Sequence, residues 1–546
     1  MAAVAASHWQ KDTHGLTGNI AMTNFSFDPT AAIDTEDLAI EQAMEIDAHN
    51  EKSPYNYYGY EPVKDELRHV PLSVTGMIPK DLTGVYLRNG TNTQFDKTHQ
   101  YLHCFNGAGM LHQVQFLNGT ATYSNTYIRT PVYEAEKHAG RELYSCFSDI
   151  ANGGKLALKK IEHIERKKKE GRIPNIGYLE TVQASTAVQV HEGRIMALAE
   201  VGLPFVLNAK REDSGLLTLD GTGHFEDWGG KLKTAFSAHC RIDPKTGDFY
   251  SATVDRLTGS VNLTHLSKNE IAKAAAVYRQ DESTGRMANL HDCFLTENYI
   301  IFADASLRQS RDWIAGPSGS MFRFDPNRKL RFGVIPRNFG PETEVRWFET
   351  HRAGFVWHNI NAWEQTRADG GREIVLYAPM FHEYPDHMPI HTPEEPPSKL
   401  NKWVLDLESD RCTVDKTLIE HGYERPSFNL DYAGRKNRYA YLLDEEKSGY
   451  MGRGVLKYDQ LEEKEIATFD YGDFYGGEAL FVPREGGTEE DDGYLLELLM
   501  GHETADFVII DAKSMTELAR VHLPRRVPFG VHACWINKSR LAALCV

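Results

Sequence analysis

The sequence predicts an all-β protein built as a β-propeller, and three observations carry that prediction. From about residue 65 onward the chain is a succession of short β-rich runs punctuated by Gly, Asn and Asp. Several runs repeat one form: alternating apolar residues, an Asp, a polar turn and a further strand. CRIDPKTGDFY, FRFDPNRKLRF, WVLDLESDRC, LKYDQLEEKE and VIIDAKSMTE are examples, with Asp243, Asp325, Asp406, Asp459 and Asp511 at the turns. Four histidines, His239, His291, His358 and His532, each lie among β-branched or aromatic residues beside a turn signal, in AFSAHCRIDP, ANLHDCFLTENYIIF, FVWHNINAWE and VPFGVHACWIN. Aspartate intervals of about 50 and about 80 residues fit the blades of a degenerate propeller, some with long insertions. Hairpin repetition alone also fits a pair of large β-sandwiches. The propeller accounts for the histidines as well, because its innermost strands surround one axis on which imidazoles from separate blades converge.

In chain order, residues 1–55 are weakly periodic and polar, which predicts a partly ordered arm with a short acidic helix near 35–49. Residues 56–546 form a single propeller domain. Its strands include GVYLRNG, ATYSNTYIRT, GRIMALAEV, DFYSATV, NYIIFAD, SMFRFDP, EIVLYAP, NKWVLDL, VLKYDQ, GYLLELLM and DFVIIDA. A helical insertion is expected near 153–171, where Leu156, Leu158, Ile161 and Ile164 give an apolar face and Lys159, Lys160 and Lys167 to Lys169 a basic one. Such a helix suits a membrane surface or a solvated insertion equally.

Composition is that of a soluble globular protein: 41% hydrophobic, 25% charged and 11% aromatic. A formal charge of -17 argues against a nucleic-acid partner, since nothing offsets phosphate repulsion. No apolar run approaches the roughly 18 residues needed to span a bilayer. The N-terminus lacks both a secretory pattern and the Arg-rich character of a transit peptide, so a cytoplasmic location is expected. Seven cysteines without a CxxC pair suit free thiols in a reducing compartment. Cys240, Cys293 and Cys534 lie within two residues of a key histidine, which leaves a mixed Cys/His zinc site open, although the spacing matches no structural zinc pattern.

Ten segments in order resemble one family, the carotenoid cleavage oxygenases. They are GVYLRNGTN (84–92), FNGAGMLH (105–112), GRIMALAEVGLPF (193–205), SAHCRIDPKTGDFY (237–250), LHDCFLTENYIIF (290–302), VWHNINAWE (356–364), ERPSFN (424–429), GRKNRYAYL (434–442), GGEALFVPR (476–484) and VPFGVHA (527–533). The resemblance implies a seven-bladed propeller under a dome of loops, with a non-haem Fe(II) on the axis held by His239, His291, His358 and His532. It implies three carboxylates behind those ligands, Glu200, Glu424 and Glu478, accepting the outward imidazole N–H groups and raising ligand basicity. Three glutamates cannot serve four histidines one to one, and the sequence leaves open which histidine goes without. Thr186, in QASTAVQVH, matches a position bordering the iron, where it would restrict access. The chemistry implied is addition of O2 across one C=C bond to give two carbonyl products, with no organic cosubstrate. The chain departs from the family pattern at Asn106 and Ala108 in FNGAGM, at Thr91 and at Ala533. None of these removes a ligand.

Within the family the substrate is a carotenoid or apocarotenoid, or a small phenolic stilbene. Tyr101 and Phe105 are the expected substrate contacts. Stilbene cleavers pair such a tyrosine with a lysine just after a VRT-like triplet. Here Ile128-Arg129-Thr130 is followed by Pro131-Val132, with no lysine before Lys137. Without that charge the buried phenol loses a partner, and a long apolar polyene is the expected substrate. A polyene dissolved in membrane calls for peripheral lipid contact through an apolar rim or the 153–171 helix; no protein partner is implied. A hydrolytic propeller binding calcium or zinc and a non-catalytic propeller remain the readings from other classes.

Overall fold

The computed structural model describes residues 27–46, 59–95, 103–147, 149, 154–256, 258–279, 287–316, 319–384, 396–445 and 450–544. Its strands form seven antiparallel blades, a seven-bladed propeller. Blade 1 holds Gly84–Asn92, Ala108–Leu117, Thr120–Tyr127 and the short Val70–Pro71. Blade 2 runs from Ala187–His191 to Leu217–Phe225, and blade 3 from Arg241–Ile242 to Glu270–Arg279. Blade 4 runs from Cys293–Leu295 to Arg346–Glu349, and blade 5 from Asn361–Thr366 to Arg411–Ile419. Blade 6 runs from Tyr423–Ser427 to Lys464–Asp470, and blade 7 from Leu480–Pro483 to Thr516–His522.

Two strands from distant parts of the chain close the ring. Ser73–Gly76 pairs with the outermost strand of blade 7, Val74 opposite Val521. Ala533–Asn537 pairs with Gly84–Asn92 along the inner edge of blade 1, Leu87 opposite Cys534. Apolar clusters then fill the spaces between neighbouring blades. One cluster joins Tyr86 and Phe116 of blade 1 to Leu496, Phe507 and Ile509 of blade 7. Others join blades 3 and 4, 4 and 5, 5 and 6, and 6 and 7. A strand pressed between two blades must therefore be apolar on both faces, as in Gly493–Met500, buried at every residue. Outer strands such as Glu270–Arg279 instead alternate between exposed and half-buried residues.

All five aspartates of the repeated form accept backbone N–H bonds two residues on, the side-chain turn that favours Asp at such corners. Only Asp406, Asp459 and Asp511 occupy one blade position, the corner between the third and outermost strands. Asp243 turns the innermost hairpin of blade 3, and Asp325 follows a separate three-stranded sheet inserted in blade 4. The local chemistry specifies a turn without specifying which turn.

The arm contributes helix α1 (Thr35–Ile46). Between blades 1 and 2 lie α2 (Pro131–Ala139), capped by Thr130, and α3 (Gly154–Lys169), close to the expected insertion. The apolar residues of α3 face protein. Leu156 packs with Ile40 and Ala157, and Ile164 is buried with Ala32, Val132 and Ile173. Its basic stripe is partly consumed as well: Lys167 is buried and its Nζ lies 2.6 Å from Asp37 Oδ1. Part of the face that a membrane-surface reading would put into lipid is therefore occupied, by Ile40 of α1 and by Ala32, Val132 and Ile173. Among the described residues no helix is long and apolar enough to cross a membrane.

Ile536 sits fully buried on the closing strand, packed with residues of blades 1 and 2. Ile536→Ala is expected to cost about 2–5 kcal/mol through lost burial and a residual cavity. Urea unfolding measures it, and an unchanged midpoint would contradict the role of this strand in closure.

Candidate metal centre

Each of the four histidines stands at the entry to the innermost strand of a blade. His239 precedes Arg241–Ile242, His291 precedes Cys293–Leu295, His358 precedes Asn361–Thr366, and His532 directly precedes Ala533–Asn537. Their rings converge on the axis. Ring centroids lie 4.2 Å apart for His239 and His291, 4.5 Å for His239 and His532, and 5.0 Å for His358 and His532. Nε2 of His291 and Nε2 of His358 are 3.2 Å apart, close to the separation of neighbouring ligands each about 2.1 Å from one ion.

The glutamates stand behind the rings. Nδ1 of His358 donates to Glu424 Oε2 at 2.5 Å, and Nδ1 of His532 donates to Glu478 Oε2 at 3.1 Å. Nδ1 of His291 contacts the Glu200 carboxylate. An N–H held on Nδ1 leaves the lone pair on Nε2, directed inward. Among the described residues His239 is the one of the four without a carboxylate; its backbone N donates to Ser237 Oγ at 3.0 Å. Glu424 is aimed by an irregularity in its strand, a register shift between Glu424 and Ser427 with Arg425 at a φ of 40°. Such bulges redirect a side chain where a regular strand cannot.

Burial disfavours the charged form of two of the rings. It pushes the pKa of His239 and of His358 well below the usual histidine range, and the neighbouring imidazoles add to the shift. For Glu200 burial acts upward, but its contact with Nδ1 of His291 outweighs it and holds the carboxyl below its usual value. Nε2 of His239 and Nε2 of His532 are buried without a hydrogen-bond partner among the described residues. Lone pairs left orphaned in this way are what a bound ion satisfies. His239, His291 and His358 offer ligand nitrogens within 4.8 Å of one another. Four imidazole nitrogens suit a transition metal and not calcium, which takes oxygen ligands.

Thr186 is half-buried and directly precedes the innermost strand of blade 2, its backbone N donating to Leu198 O at 3.0 Å. Phe105 lies in a group of aromatic rings, 4.9 Å from His103, 5.7 Å from Phe147, 5.7 Å from Tyr450 and 6.5 Å from Phe529. Tyr101 lies outside the described residues. Sequence reasoning missed two neighbours. Trp357 packs its ring 5.0 Å from that of His291, a role its place beside His358 could have suggested. Glu497 is fully buried behind Glu478 and accepts the Gly477 N–H at 3.0 Å; burial pushes its carboxyl up to about 7. Nothing in GYLLELLM distinguishes that glutamate from a surface one.

Fold and site together define a propeller with four imidazoles converging on its axis. The family model described as retinal pigment epithelial membrane protein matches residues 60–537. The carotenoid 9,10(9′,10′)-cleavage dioxygenase of Crocus sativus is 31% identical over 533 residues, covering 92% of this chain and 93% of that protein. Among solved structures, Pseudomonas brassicacearum lignostilbene dioxygenase superposes with a TM-score of 0.73 at 22% identity, over 89% of this chain and 98% of that one. A variant of Synechocystis apocarotenoid oxygenase gives 0.70 at 24% identity, over 88% and 98%. The chain belongs to the carotenoid cleavage oxygenase family.

His103 and His112, like His239 and His358, are pushed down by burial, His103 to about 3. The unfolded chain takes up protons near pH 6.5 that these folded rings refuse, so their contribution is complete above that pH and is lost on acidification. With metal removed by a chelator, the urea midpoint should stay level above about pH 7 and fall below about 6.5. A midpoint that rises on acidification would refute the neutral rings.

Proposed function

We propose that this protein is a non-haem Fe(II) dioxygenase that cleaves one C=C bond of a carotenoid or apocarotenoid. Both atoms of O2 enter the two carbonyl products, so no reductant is consumed. One observation carries the reading: four convergent imidazoles, three with carboxylates behind them, in a chain aligned over nine-tenths of its length with a carotenoid dioxygenase. His239, His291, His358 and His532 would hold the iron, which when bound supplies the place and the electrons for O2 activation.

The remaining roles belong to the chain. Glu200, Glu424 and Glu478 orient three rings and keep their N–H groups pointing outward. Thr186 narrows access beside the ligands. Phe105, with Phe147, Tyr450 and Phe529, offers a polarizable apolar wall to a conjugated chain. The lysine that the stilbene pattern places just after Thr130 is replaced in the sequence by Pro131-Val132. Lys137 is exposed on α2, with Nζ 5.7 Å from the Tyr133 ring centroid, and Arg129 pairs with Glu66 at 2.7 Å.

Iron-loaded protein incubated with a carotenoid, an apocarotenal and a stilbene should yield aldehydes of shortened polyenes by mass spectrometry. Turnover of the stilbene alone would reverse the assignment. Alanine at any one of His239, His291, His358 or His532 should abolish iron retention and activity; a variant with full iron and turnover removes that residue from the ligand set. Glu424→Gln should weaken iron affinity about 10- to 100-fold without eliminating activity, and wild-type iron affinity would count against its role.

A further inference from the structure

Among the described residues no carboxylate stands behind His239, yet a partly buried ion pair holds its segment by another route. Arg241, two residues on, reaches across the blade boundary. Its Nε donates to Asp292 Oδ1 at 3.0 Å and to Cys293 O at 2.8 Å. Its Nη2 pairs with Asp292 Oδ2 and donates to Asn359 O at 2.9 Å. Asp292 in turn accepts the Cys293 N–H at 2.6 Å and the Asn359 N–H at 2.9 Å. Arg241 opens the innermost strand of blade 3, Asp292 leads into that of blade 4, and Asn359 leads into that of blade 5. Every one of these groups is within two residues of a histidine: Arg241 of His239, Asp292 and Cys293 of His291, Asn359 of His358. Ser237 adds a lighter tie, accepting the His239 N–H and donating to His291 O at 3.4 Å.

The placement matters because neighbouring blades meet mainly through apolar clusters, which resist separation but set no register. A bidentate guanidinium–carboxylate pair does fix register, since its bonds are directional and strong when buried. The Asp292 side chain is 3% exposed and that of Arg241 20%, so loss of the guanidinium would leave a buried carboxylate without its partner.

We infer that the Arg241–Asp292 pair is a positioning device that sets the spacing of His239, His291 and His358 and replaces the carboxylate that His239 lacks. The inference rests on the reading of the histidines as metal ligands. Among the described residues neither is hydrogen-bonded to an imidazole of the set: both act through the backbone they fasten, with the Arg241 charge also felt at His239 and His358.

Cobalt(II) is the probe, because its d–d absorption reports ligand geometry independently of turnover. Stripped wild-type protein should bind about one equivalent with a defined spectrum. Asp292→Asn should weaken cobalt affinity about 10- to 100-fold and alter the band positions. Arg241→Lys keeps the charge but loses the fork, and should fall between Asp292→Asn and wild type. Asp304→Asn is the control: that buried carboxylate pairs with Arg308, Arg328 and Arg331 and with no histidine segment. It should lower the melting temperature while leaving cobalt affinity and spectrum as in wild type. Wild-type cobalt binding by Asp292→Asn overturns the clasp and leaves the metal centre standing. Equal spectral change in Asp304→Asn also overturns it, by reducing the effect to general destabilisation. If Asp292→Asn does not fold, Arg241→Lys decides on the same two readouts. A wild-type chain that takes up no cobalt overturns the metal centre and the clasp together.

Discussion

Four imidazole rings within about 5 Å of one another are tolerable only while none carries a proton. Burial disfavours the charged form of His239 and His358, while carboxylates take the outward N–H of three of the rings. A carboxylate beside a histidine normally favours the charged form, so the two influences oppose each other here. For His358 burial wins, although Glu424 lies 2.5 Å from its Nδ1. The carboxylate then acts on tautomer and orientation rather than on charge.

The propeller is the scaffold that lets residues so far apart in sequence share one point. Around the axis, blade 1 presents His532, blade 2 Thr186, blade 3 His239, blade 4 His291, blade 5 His358, blade 6 Glu424 and blade 7 Glu478. Each sits in or just before an innermost strand, where the chain enters the ring. Glu200 is the exception, following the second strand of blade 2. The scaffold places backbones, but the final aim of each side chain depends on local devices. The bulge at Glu424, the strained Arg425 and the polar ties beside His239 are of that kind.

Much of this was legible in the sequence because the signals are local. Period-two apolar runs mark strands, Asp followed by polar residues marks corners, and a histidine among β-branched residues marks a buried ring. What was not legible depends on partners distant in the chain. The same Asp turn serves an inner hairpin at Asp243 and an outer one at Asp406, so turn chemistry could not number the blades. The amphipathic pattern of α3 was plain, but the pattern does not say whether lipid, water or α1 covers it. Only the assembled ring leaves His239 without a glutamate, and Glu497 is hidden in a strand whose letters read as ordinary core.

The strand Ala533–Asn537 gives the molecule an order of assembly. It brings His532 to the axis by pairing with a strand more than four hundred residues earlier, and it follows every other blade in the chain. A nascent chain that has folded six blades already carries three of the four histidines but has no complete set. The fourth arrives only when the circle is joined. An ion bound by all four is therefore a signature of a finished ring, and it links the first blade to blades 3, 4 and 5 across the axis. Such a bond acts as a keystone: opening the circle and releasing the ion become one event.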